Sequence, residues 1–495
     1  MFFAKVSFVA FLMGTALLAS ATTPVVTIQS PANGSVASPV SYVASAASPG
    51  CSKGIAAMRI YTAPGVGAYT IDSNTLNTNI NLPTGSYQTV VQAWDNCGGV
   101  GKTAVNITVS KINLAPPKFL YATEFAAGRI AEYVVNPLTG SISPTRQSST
   151  WAHWGPVDIA SDPGGYRLYV ANQGSHDMNA YFINRNDGSL ASVPGSPFAI
   201  AGVGERIVVH PSGHFIYVTS YHSGGTYDVN AFHVQSNGSL QVVPGSPFSG
   251  EGSPGLAALA MDPKGKYLFA SASVPGNTGA VAAFIIDPIS GAITPVAGSP
   301  FIIPNYPGCT ESCSTQTSDV AVGPTGKYLY AVLPVEDAIA GFSIDPSTGA
   351  LSSLAGSPYP EARFCNPLGY GCNSADTESI DPSGKFIYVA NEELEALSIF
   401  TINPATGVPA YAGDDTVPCW QAGFTSSVTV NVDPSGTFLY SLGATTECGV
   451  AGTTAVLGLS INQGTGDLIS VPGSPFANPD VHTIPFNEEK VLVTR

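Results

Sequence analysis

Residues 379–407 have the sequence SIDPSGKFIYVANEELEALSIFTINPATG, and this stretch decides the fold. The run DPSG at residues 381–384 has the chemistry of a four-residue turn, because proline fixes φ at its second position and glycine readily takes the left-handed conformation at its end. The β-branched and aromatic residues 386–390 predict a strand, and residues 397–402 predict another. The run NPATG at residues 403–407 predicts a hairpin closed by glycine. The stretch therefore predicts antiparallel strands joined by tight turns.

This turn and the strand after it recur along most of the chain. The other copies of the turn begin at Asp162, His210, Asp262, Gly323 and Asp433. A predicted fourth strand ends in its own signature, Gly-Ser-Pro followed by an aromatic residue, which occurs at residues 195–198, 245–248, 298–301, 356–359 and 473–476. Four antiparallel strands in a unit of about 50 residues are typical of a β-propeller, so we predict an all-β protein of this fold.

The third strand of the repeated unit indicates the number of blades. It occurs seven times, first at residues 130–135 and last at 456–461, which predicts seven blades, with eight as the alternative. Residues 481–485 resemble a first strand and residues 491–493 a second strand. We expect such terminal strands to complete the first blade and close the ring, which removes exposed sheet edges. This assignment leaves one second-strand copy too many.

The segment before the propeller contains two further predicted regions. Residues 1–21 have the pattern of an export signal, with Lys5, an apolar run and small residues at the cleavage site. The apolar run is too short to span a membrane comfortably. We therefore expect an extracytoplasmic protein, secreted or periplasmic, without a membrane span.

Residues 22–110 are rich in Val, Thr, Ser and Asn and show no helical period. Five plausible strands in this region predict a small β-sandwich. It resembles the immunoglobulin-like modules of exported bacterial proteins, which implies a spacer. Residues 111–117 contain a Pro-Pro pair and predict a stiff linker, after which the propeller is expected to occupy residues 118–495.

The composition fits a turn-dense β protein, with 10% charged residues, 53 Gly and 40 Pro. The net charge of −15 argues against nucleic acid and anionic membranes as partners. We expect a monomer that needs no cofactor.

Eight cysteines in an apparently exported chain predict disulfides. Spacing does not determine the connectivity, so pairs between blades, such as Cys313 with Cys365, remain open. A zinc site of four thiolates, from Cys309, Cys313, Cys365 and Cys372, is an alternative, although no CxxC pair supports it and we expect no metal. The pairs that we predict are Cys51–Cys97, Cys309–Cys313, Cys365–Cys372 and Cys419–Cys448.

The long loops that enter each inner strand, and the loops between second and third strands, share one face of a propeller. Long, irregular loops on a rigid scaffold favour a functional site on this face, whereas the short DPxG turns mark the opposite face. The turn aspartates Asp162, Asp262, Asp381 and Asp433 are predicted to be structural. The polar candidates on the loop face are His153, His176, Asp177, Glu205, Arg206, His222, Glu378, Glu392, Glu393 and His482. The aromatic candidates for stacking on a ring are Trp151, Trp154, Tyr221, Tyr227, Trp420 and Phe424.

The YVAN strand ends, DPSGKFIY turns and NPATG hairpins resemble the lactonase family of seven-bladed propellers. That family includes 6-phosphogluconolactonase-like and 3-carboxymuconate-cyclase-like proteins. The resemblance covers residues 118–495 and implies hydrolysis or closure of a lactone on the channel face without a metal.

The residues of the family's site match less well. Glu378, just before an inner strand's turn, carries over. Glu392 and Glu393 stand where the family has an arginine, and these acids would repel an anionic substrate such as phosphogluconolactone. His153 lies near the place of a missing Pro-His-x-His element, and Arg206 is retained out of register.

Two hypotheses follow. In the first, a sugar or aromatic lactone is hydrolysed, with Glu378 as the base for water and Arg206 or His153 as the partner of an oxyanion or carboxylate. In the second, the same face of a non-catalytic protein binds glycans or a protein partner. The predicted substrate contacts are Glu205, His222, Trp154, Trp420 and His482.

Overall fold

The computed structural model describes residues 23–31, 33–36, 40–80, 82, 85–109, 118–223, 225–249, 258–274, 278–305, 317–361, 375–391, 396–416, 429–445, 453–477 and 490–494. The chain divides into two compact units, Met1–Asn113 and Leu114–Arg495. None of the described segments is a helix that could cross a bilayer.

The first unit contains two sheets that share one apolar core. One sheet has the order β1-β3-β6 and the other the order β2-β8-β7-β4-β5. Tyr42, Met58, Ile60 and Val91 are fully buried between them. The unit is therefore a β-sandwich, and its immunoglobulin-like character stays a prediction. Its strands are β1 (Val25–Ser30), β2 (Gly34–Val36), β3 (Val40–Ala47), β4 (Ile55–Ala63), β5 (Val66–Ile71), β6 (Thr75–Ile80), β7 (Gly85–Asp95) and β8 (Val100–Val109).

A disulfide joins Cys51 to Cys97, with 5.8 Å between their Cα atoms, which confirms this predicted pair. The other three predicted pairs, and the alternative zinc site, lie outside the described residues.

The described residues of the second unit form seven consecutive antiparallel sheets, which we number as blades I to VII. The prediction of seven blades is confirmed. Blade I contains β9 (Phe119–Glu124), β10 (Arg129–Val135) and β11 (Ile142–Trp151). Blade II contains β12 (Pro156–Ser161), β13 (Arg167–Asn172), β14 (Asp177–Ile183), β15 (Leu190–Ser192) and β16 (Phe198–Ala199). Blade III contains β17 (Val203–Val209), β18 (Phe215–His222), β19 (Thr226–Val234), β20 (Leu240–Val242) and β21 (Phe248–Ser249).

The remaining blades repeat the pattern. Blade IV contains β22 (Leu259–Met261), β23 (Tyr267–Val274), β24 (Thr278–Ile286), β25 (Ile293–Pro295) and β26 (Phe301–Ile302). Blade V contains β27 (Val320–Val322), β28 (Tyr328–Leu333), β29 (Ala338–Ile344), β30 (Leu351–Ser353) and β31 (Tyr359–Pro360). Blade VI contains β32 (Ala375–Ile380), β33 (Phe386–Asn391), β34 (Ala396–Ile402) and β35 (Pro409–Thr416). Blade VII contains β36 (Thr429–Val432), β37 (Phe438–Thr445), β38 (Thr453–Ile461), β39 (Leu468–Ser470) and β40 (Phe476–Ala477).

The last strand, β41 (Val491–Thr494), closes the ring by pairing with β9 as the innermost strand of blade I. The inner strands then contact one another in a closed circle, from β41 through β12, β17, β22, β27, β32 and β36 back to β41. The interpretation of residues 491–493 as a second strand was wrong, and this correction removes the surplus copy. Residues 481–485 lie outside the described residues.

The two repeated signatures have structural roles. In the turn of blade VI, Asp381 Oδ1 accepts hydrogen bonds from the backbone N–H groups of Lys385 (2.6 Å) and Phe386 (2.7 Å), so this turn aspartate is structural as predicted. The Gly-Ser-Pro signature lies between two short segments that both pair with the third strand, and its serine accepts a hydrogen bond from that strand, as Ser196 does from Ala180 N–H (3.0 Å).

Neighbouring blades are joined by a tyrosine of the second strand. Its hydroxyl donates a hydrogen bond to the carbonyl of the hairpin glycine in the next blade. Between blades VII and I, Tyr440 donates to Gly140 at 2.7 Å, so the same bond stabilises the point where the ring closes. The other four are Tyr121 to Gly188, Tyr217 to Gly291, Tyr330 to Gly407 and Tyr388 to Gly466.

We expect Tyr440→Phe to lower the free energy of unfolding of the propeller by about 1–3 kcal/mol, because it leaves the buried Gly140 carbonyl without a partner. Tyr169 provides a matched control. Its hydroxyl is buried and makes no hydrogen bond, so Tyr169→Phe is expected to be nearly neutral. Urea unfolding of both variants measures the difference, and equal losses would show that the inter-blade bond contributes nothing.

Candidate active site

One position of the inner strand brings charged residues of different blades into the central channel. In each blade, one residue of the inner strand pairs with the tyrosine of the second strand, or with Phe269 in blade IV. The position meant here lies two residues before that one. We call these seven residues the channel ring. In the order of blades I to VII they are Lys490, Asp158, Arg206, Ala258, Asp319, Thr377 and Thr429.

An ion pair crosses the channel. Lys490 Nζ of blade I lies 3.8 Å from Asp319 Oδ2 of blade V, and both side chains are largely buried. Blades I and V are not neighbours in the ring, so the two side chains meet only by extending towards its axis. The ammonium group therefore lies inside the channel.

Asp158 lies between the two cations of the ring. Burial raises the pKa of its carboxyl, and the charges of Lys490 and Arg206 oppose this shift. Asp158 Oδ2 also accepts a hydrogen bond from Ile207 N–H of blade III at 2.8 Å, and Asp319 Oδ2 accepts one from Glu378 N–H of blade VI at 3.3 Å. The ring carboxylates thus bind neighbouring inner strands as well as cations.

Three inner strands carry a register shift directly before or at their ring position. The shifts fall between Pro156 and Asp158, between Gly204 and Ile207, and between Ala375 and Thr377. A β-bulge redirects a side chain and is common beside active sites. The shift in β17 spans Glu205 and Arg206, so the ring arginine lies on a bulge.

Glu378 occupies a position that is apolar in the other six blades. Its counterparts are Val491, Ile159, Ile207, Leu259, Val320 and Val430. The side chain is 7% exposed and neither carboxyl oxygen makes a hydrogen bond. Burial and then the charge of Asp319 raise its pKa well above the usual range, and the nearby Ala321 amide only partly opposes them. Burial therefore favours the protonated form of the carboxyl, and the predicted role as a base lacks support from this environment.

His153 forms a pair with a carboxylate in blade II. Its Nδ1 lies 2.9 Å from Asp177 Oδ2, and Asp177 Oδ1 accepts hydrogen bonds from Asn172 Nδ2 (2.7 Å) and Ser175 Oγ (2.9 Å). A carboxylate acceptor at Nδ1 holds the neutral imidazole with its proton on that nitrogen, so Nε2 is left as the basic atom. The pair has the base-and-orienter arrangement of many hydrolytic sites.

Two other predicted contacts, His222 and Trp154, lie on the same face. His222 Nε2 lies 2.9 Å from Asp228 Oδ2 in blade III, although their alignment does not make a hydrogen bond. Trp154 is 66% exposed on the connection between blades I and II. Trp420 and His482, together with Glu392 and Glu393, lie outside the described residues.

Arg206 is thus part of the channel ring, and Glu378 directly follows the ring residue of blade VI, Thr377. The three predicted catalytic residues, however, do not form one group. Glu378 makes no hydrogen bond to Arg206 or to His153, and His153 is held by Asp177. Asp158, Asp319 and Lys490 were missed. Asp158 and Asp319, like Arg206, stand four places before the first residue of the turn between the first and second strands, so aligning these turns would have found them. Lys490 required the pairing of β41.

A second buried cluster lies at the loop end of blade VI. Ser398 Oγ lies 2.8 Å from Glu361 Oε2 and 2.7 Å from Asp414 Oδ1, and it accepts a hydrogen bond from Asn391 Nδ2 at 2.7 Å. The Ser398 hydroxyl carries one proton, so it can donate a hydrogen bond to only one of these two carboxyl groups. The other carboxyl group must itself be protonated and donate to Ser398 Oγ. Burial raises the pKa of Glu361 to about 7, with the charges of Asp337 and Asp414 adding to the shift and the Ser398 hydrogen bond opposing it.

We expect Glu361→Gln to change the pH dependence of stability. The unfolded carboxyl releases its proton near about pH 4.3, whereas the folded one keeps it until about pH 7. The folded wild type therefore binds more protons than the unfolded chain between these pH values. As the pH rises through this window, its free energy of unfolding is expected to fall, relative to that of the variant, by up to about 1.4 kcal/mol per pH unit. Urea unfolding across this range measures it, with the exposed Asp467→Asn as control. Parallel profiles of wild type and Glu361→Gln would contradict the assignment.

Among the described residues, one cluster has the spacing of a metal site: Cys51, Asp95 and Cys97. Its two sulfur atoms are joined in the disulfide, so they are not free thiolate ligands.

Comparison with known proteins agrees with this architecture. The family model for lactonases with a seven-bladed β-propeller matches residues 100–203 and 278–423. A 6-phosphogluconolactonase from Formosa agariphila is 37% identical over 97 residues, which are 19% of this chain and 24% of that protein. The chain thus spans about a quarter of the length of this curated relative.

Solved structures share the fold at low sequence identity. A periplasmic gluconolactonase from Pseudomonas aeruginosa is 17% identical, with a TM-score of 0.57, over 77% of this chain and 99% of that chain. A protein of Bacteroides uniformis described as a candidate 6-phosphogluconolactonase is 19% identical, with a TM-score of 0.56, over 76% of this chain and all of the other. The family match, the seven blades and the closed ring together show that this chain belongs to the family of seven-bladed β-propeller lactonases.

Proposed function

We propose that this protein hydrolyses a lactone, the cyclic ester of a sugar acid or an aromatic acid, in the central channel of the propeller. The observation that carries the proposal is the Lys490–Asp319 pair across the channel of a lactonase-family propeller. A cation and a carboxylate held together in a confined space can stabilise an oxyanion and accept a proton from water.

In this proposal the ring residues divide the work of ester hydrolysis. Asp319 accepts a proton from water as the water oxygen bonds to the lactone carbonyl carbon. Lys490 and Arg206 stabilise the negative charge on the carbonyl oxygen. The ring C–O bond then breaks, the alkoxide takes up a proton, and the product is a hydroxy acid whose carboxyl group ionises and releases one proton to solvent.

Glu378 is assigned the role of proton donor to the departing alkoxide. The sequence favours it as a base, but burial favours its protonated form, which can donate this proton. The proton that Asp319 takes from water then restores Glu378. Its position beside Asp319 gives an acid and a carboxylate in one site, with environments that separate their roles. Both of its oxygens are buried, so the proposal requires its side chain to turn towards the bound lactone.

The test is proton release from a panel of sugar and aromatic lactones by the protein lacking residues 1–21. We expect turnover by the wild type, and a loss of about 100-fold in kcat in Glu378→Gln. Glu361→Gln is the matched control, since Glu361 is also a buried glutamate of raised pKa near blade VI but lies outside the channel ring. Turnover that is equal in wild type and Glu378→Gln would remove Glu378 from the mechanism.

A binding function without catalysis is supported by one observation. Trp151 and Trp154 are 54% and 66% exposed on one connection of the loop face, where indole rings can stack on sugars. Should no lactone be turned over, quenching of tryptophan fluorescence by a soluble glycan, lost in Trp154→Ala, would favour this alternative. Absence of quenching would exclude it for the glycans tested.

We also propose that the protein acts outside the cytoplasm. The Cys51–Cys97 disulfide supports this location, since such bonds persist in oxidising compartments. The mass of the protein recovered from the periplasm or medium would show removal of residues 1–21, and an uncleaved cytoplasmic protein would contradict export.

A further inference from the structure

A cavity of about 430 Å³ lies between blades II and III on the turn face, opposite the long loops. Its walls come from the first turn of blade II and from the first turn and the last hairpin of blade III. The side chains that matter chemically are those of Arg167, His214, His233 and Ser236. In a chain with a net charge of −15, this places an arginine and two of the seven histidines in one cavity.

The cavity occurs where the repeated contact between blades is interrupted. Elsewhere an aromatic residue at the start of the second strand packs against the hairpin glycine of the next blade, as Phe215 does against Gly291. Arg167 occupies this position in blade II, and the facing hairpin of blade III closes between Gln235 and Gly238, one residue shorter than the NPATG type. Tyr169 loses its hydrogen-bond partner at the same interface. A break in an otherwise consistent pattern is typical of functional sites.

The donor groups of the cavity suit an oxyanion. Gln235 Nε2 lies 2.8 Å from His233 Nδ1 and donates to it, which leaves the proton of a neutral His233 on Nε2 as a donor. The ring of His214 lies 6.5 Å from that of His233. Arg167 Nε is buried and makes no hydrogen bond. Guanidinium, imidazole and hydroxyl donors together are the chemistry that binds phosphate and sulfate groups.

Asp162, the acidic residue that lines the cavity, already has hydrogen-bond and ion-pair partners. Asp162 Oδ1 accepts hydrogen bonds from the N–H groups of Tyr166 (2.6 Å) and Arg167 (3.0 Å), and Oδ2 lies 3.6 Å from Arg167 Nη1. His210, the remaining titratable neighbour, is directed elsewhere, because its Nε2 lies 2.9 Å from Gly265 O and its Nδ1 2.8 Å from Ser212 Oγ. Because Asp162 is paired in this way, the lining of the cavity offers a bound oxyanion no unpaired carboxylate.

We propose that the cavity between blades II and III binds a tetrahedral oxyanion, either a free phosphate or sulfate ion or such a group on a larger molecule. The site lies on the face opposite the proposed lactone site and does not depend on that activity.

Sulfate is the probe of choice, because it is fully ionised near neutral pH. Calorimetric titration at constant pH and ionic strength, with chloride as reference, is expected to show sulfate binding. His214→Gln/His233→Gln and Arg167→Gln should each weaken it about tenfold. His176→Asn, an exposed histidine on the other face, should bind as the wild type does.

Inorganic phosphate and phosphorylated or sulfated sugars, titrated in the same way, distinguish a free ion from a group on a larger molecule. Circular dichroism of each variant establishes that it is folded. Sulfate binding that is absent in the wild type, or unchanged in the double-histidine variant, would overturn the proposal.

Discussion

Gly407→Ala is expected to lower the free energy of unfolding of the propeller by about 2–5 kcal/mol. Two effects add. Gly407 has φ = 74°, and the left-handed region costs a residue with a Cβ about 1–2 kcal/mol. A Cβ at this position would also lie 2.5 Å from Tyr328 Cε1, in the ring of the preceding blade. The ring is packed between blades, so relieving the overlap requires the two blades to separate.

Gly225→Ala isolates the first effect. Gly225 has φ = 81°, and no atom lies within 4 Å of the place that an alanine Cβ would occupy, so this change should cost only about 1–2 kcal/mol. Urea unfolding of both variants and of the wild type gives the comparison. Equal losses in the two variants would mean that the aromatic ring beneath the hairpin glycine does not set the blade spacing.

Lys490→Gln is expected to reduce kcat/KM for a lactone substrate by about 100- to 1000-fold. The change removes the ammonium group from the channel and leaves Asp319 without its cation. The variant loses both the stabilisation of the oxyanion and the position of the carboxylate that receives the proton. Its backbone contacts with Thr123 are independent of the side chain and should keep β41 in place.

Lys385→Gln is the control for this prediction, because Lys385 is exposed on a turn of the opposite face and the change in charge is the same. We expect it to hydrolyse lactones at the wild-type rate. Steady-state proton release by the three proteins measures the effect. A Lys490→Gln variant as active as Lys385→Gln would exclude a role for the channel cation.

The fold was predictable because each blade repeats the same local chemistry. The DPSG turn, the aromatic second strand and the NPATG hairpin each favour one conformation, and Asp381 and Gly407 show how the side chain or its absence enforces it. The closing strand was misassigned, since residues 491–493 are too short to distinguish an inner from a second strand by pattern. Only pairing with β9 decides this.

The candidate site was only partly predictable. The sequence pattern singles out Arg206 and Glu378, whose roles stay predictions. The contact of Lys490 with Asp319 joins residues that are far apart in sequence and come from non-adjacent blades. No local pattern reports a distance across the channel. The raised pKa of Glu378 was also not predictable, because it results from burial at a position that is apolar in the other blades and from the nearby charge of Asp319.

The measurement that tests the central claim most directly is a double-mutant cycle on lactone hydrolysis with Lys490→Gln, Asp319→Asn and the combined variant. Two groups that act as one unit in a single step lose their function together, so the double variant should be about as slow as either single variant. We therefore predict strongly non-additive losses in kcat/KM for the lactone that the wild type turns over. Losses that multiply, or single variants that hydrolyse it at the wild-type rate, would contradict an active site built on this pair.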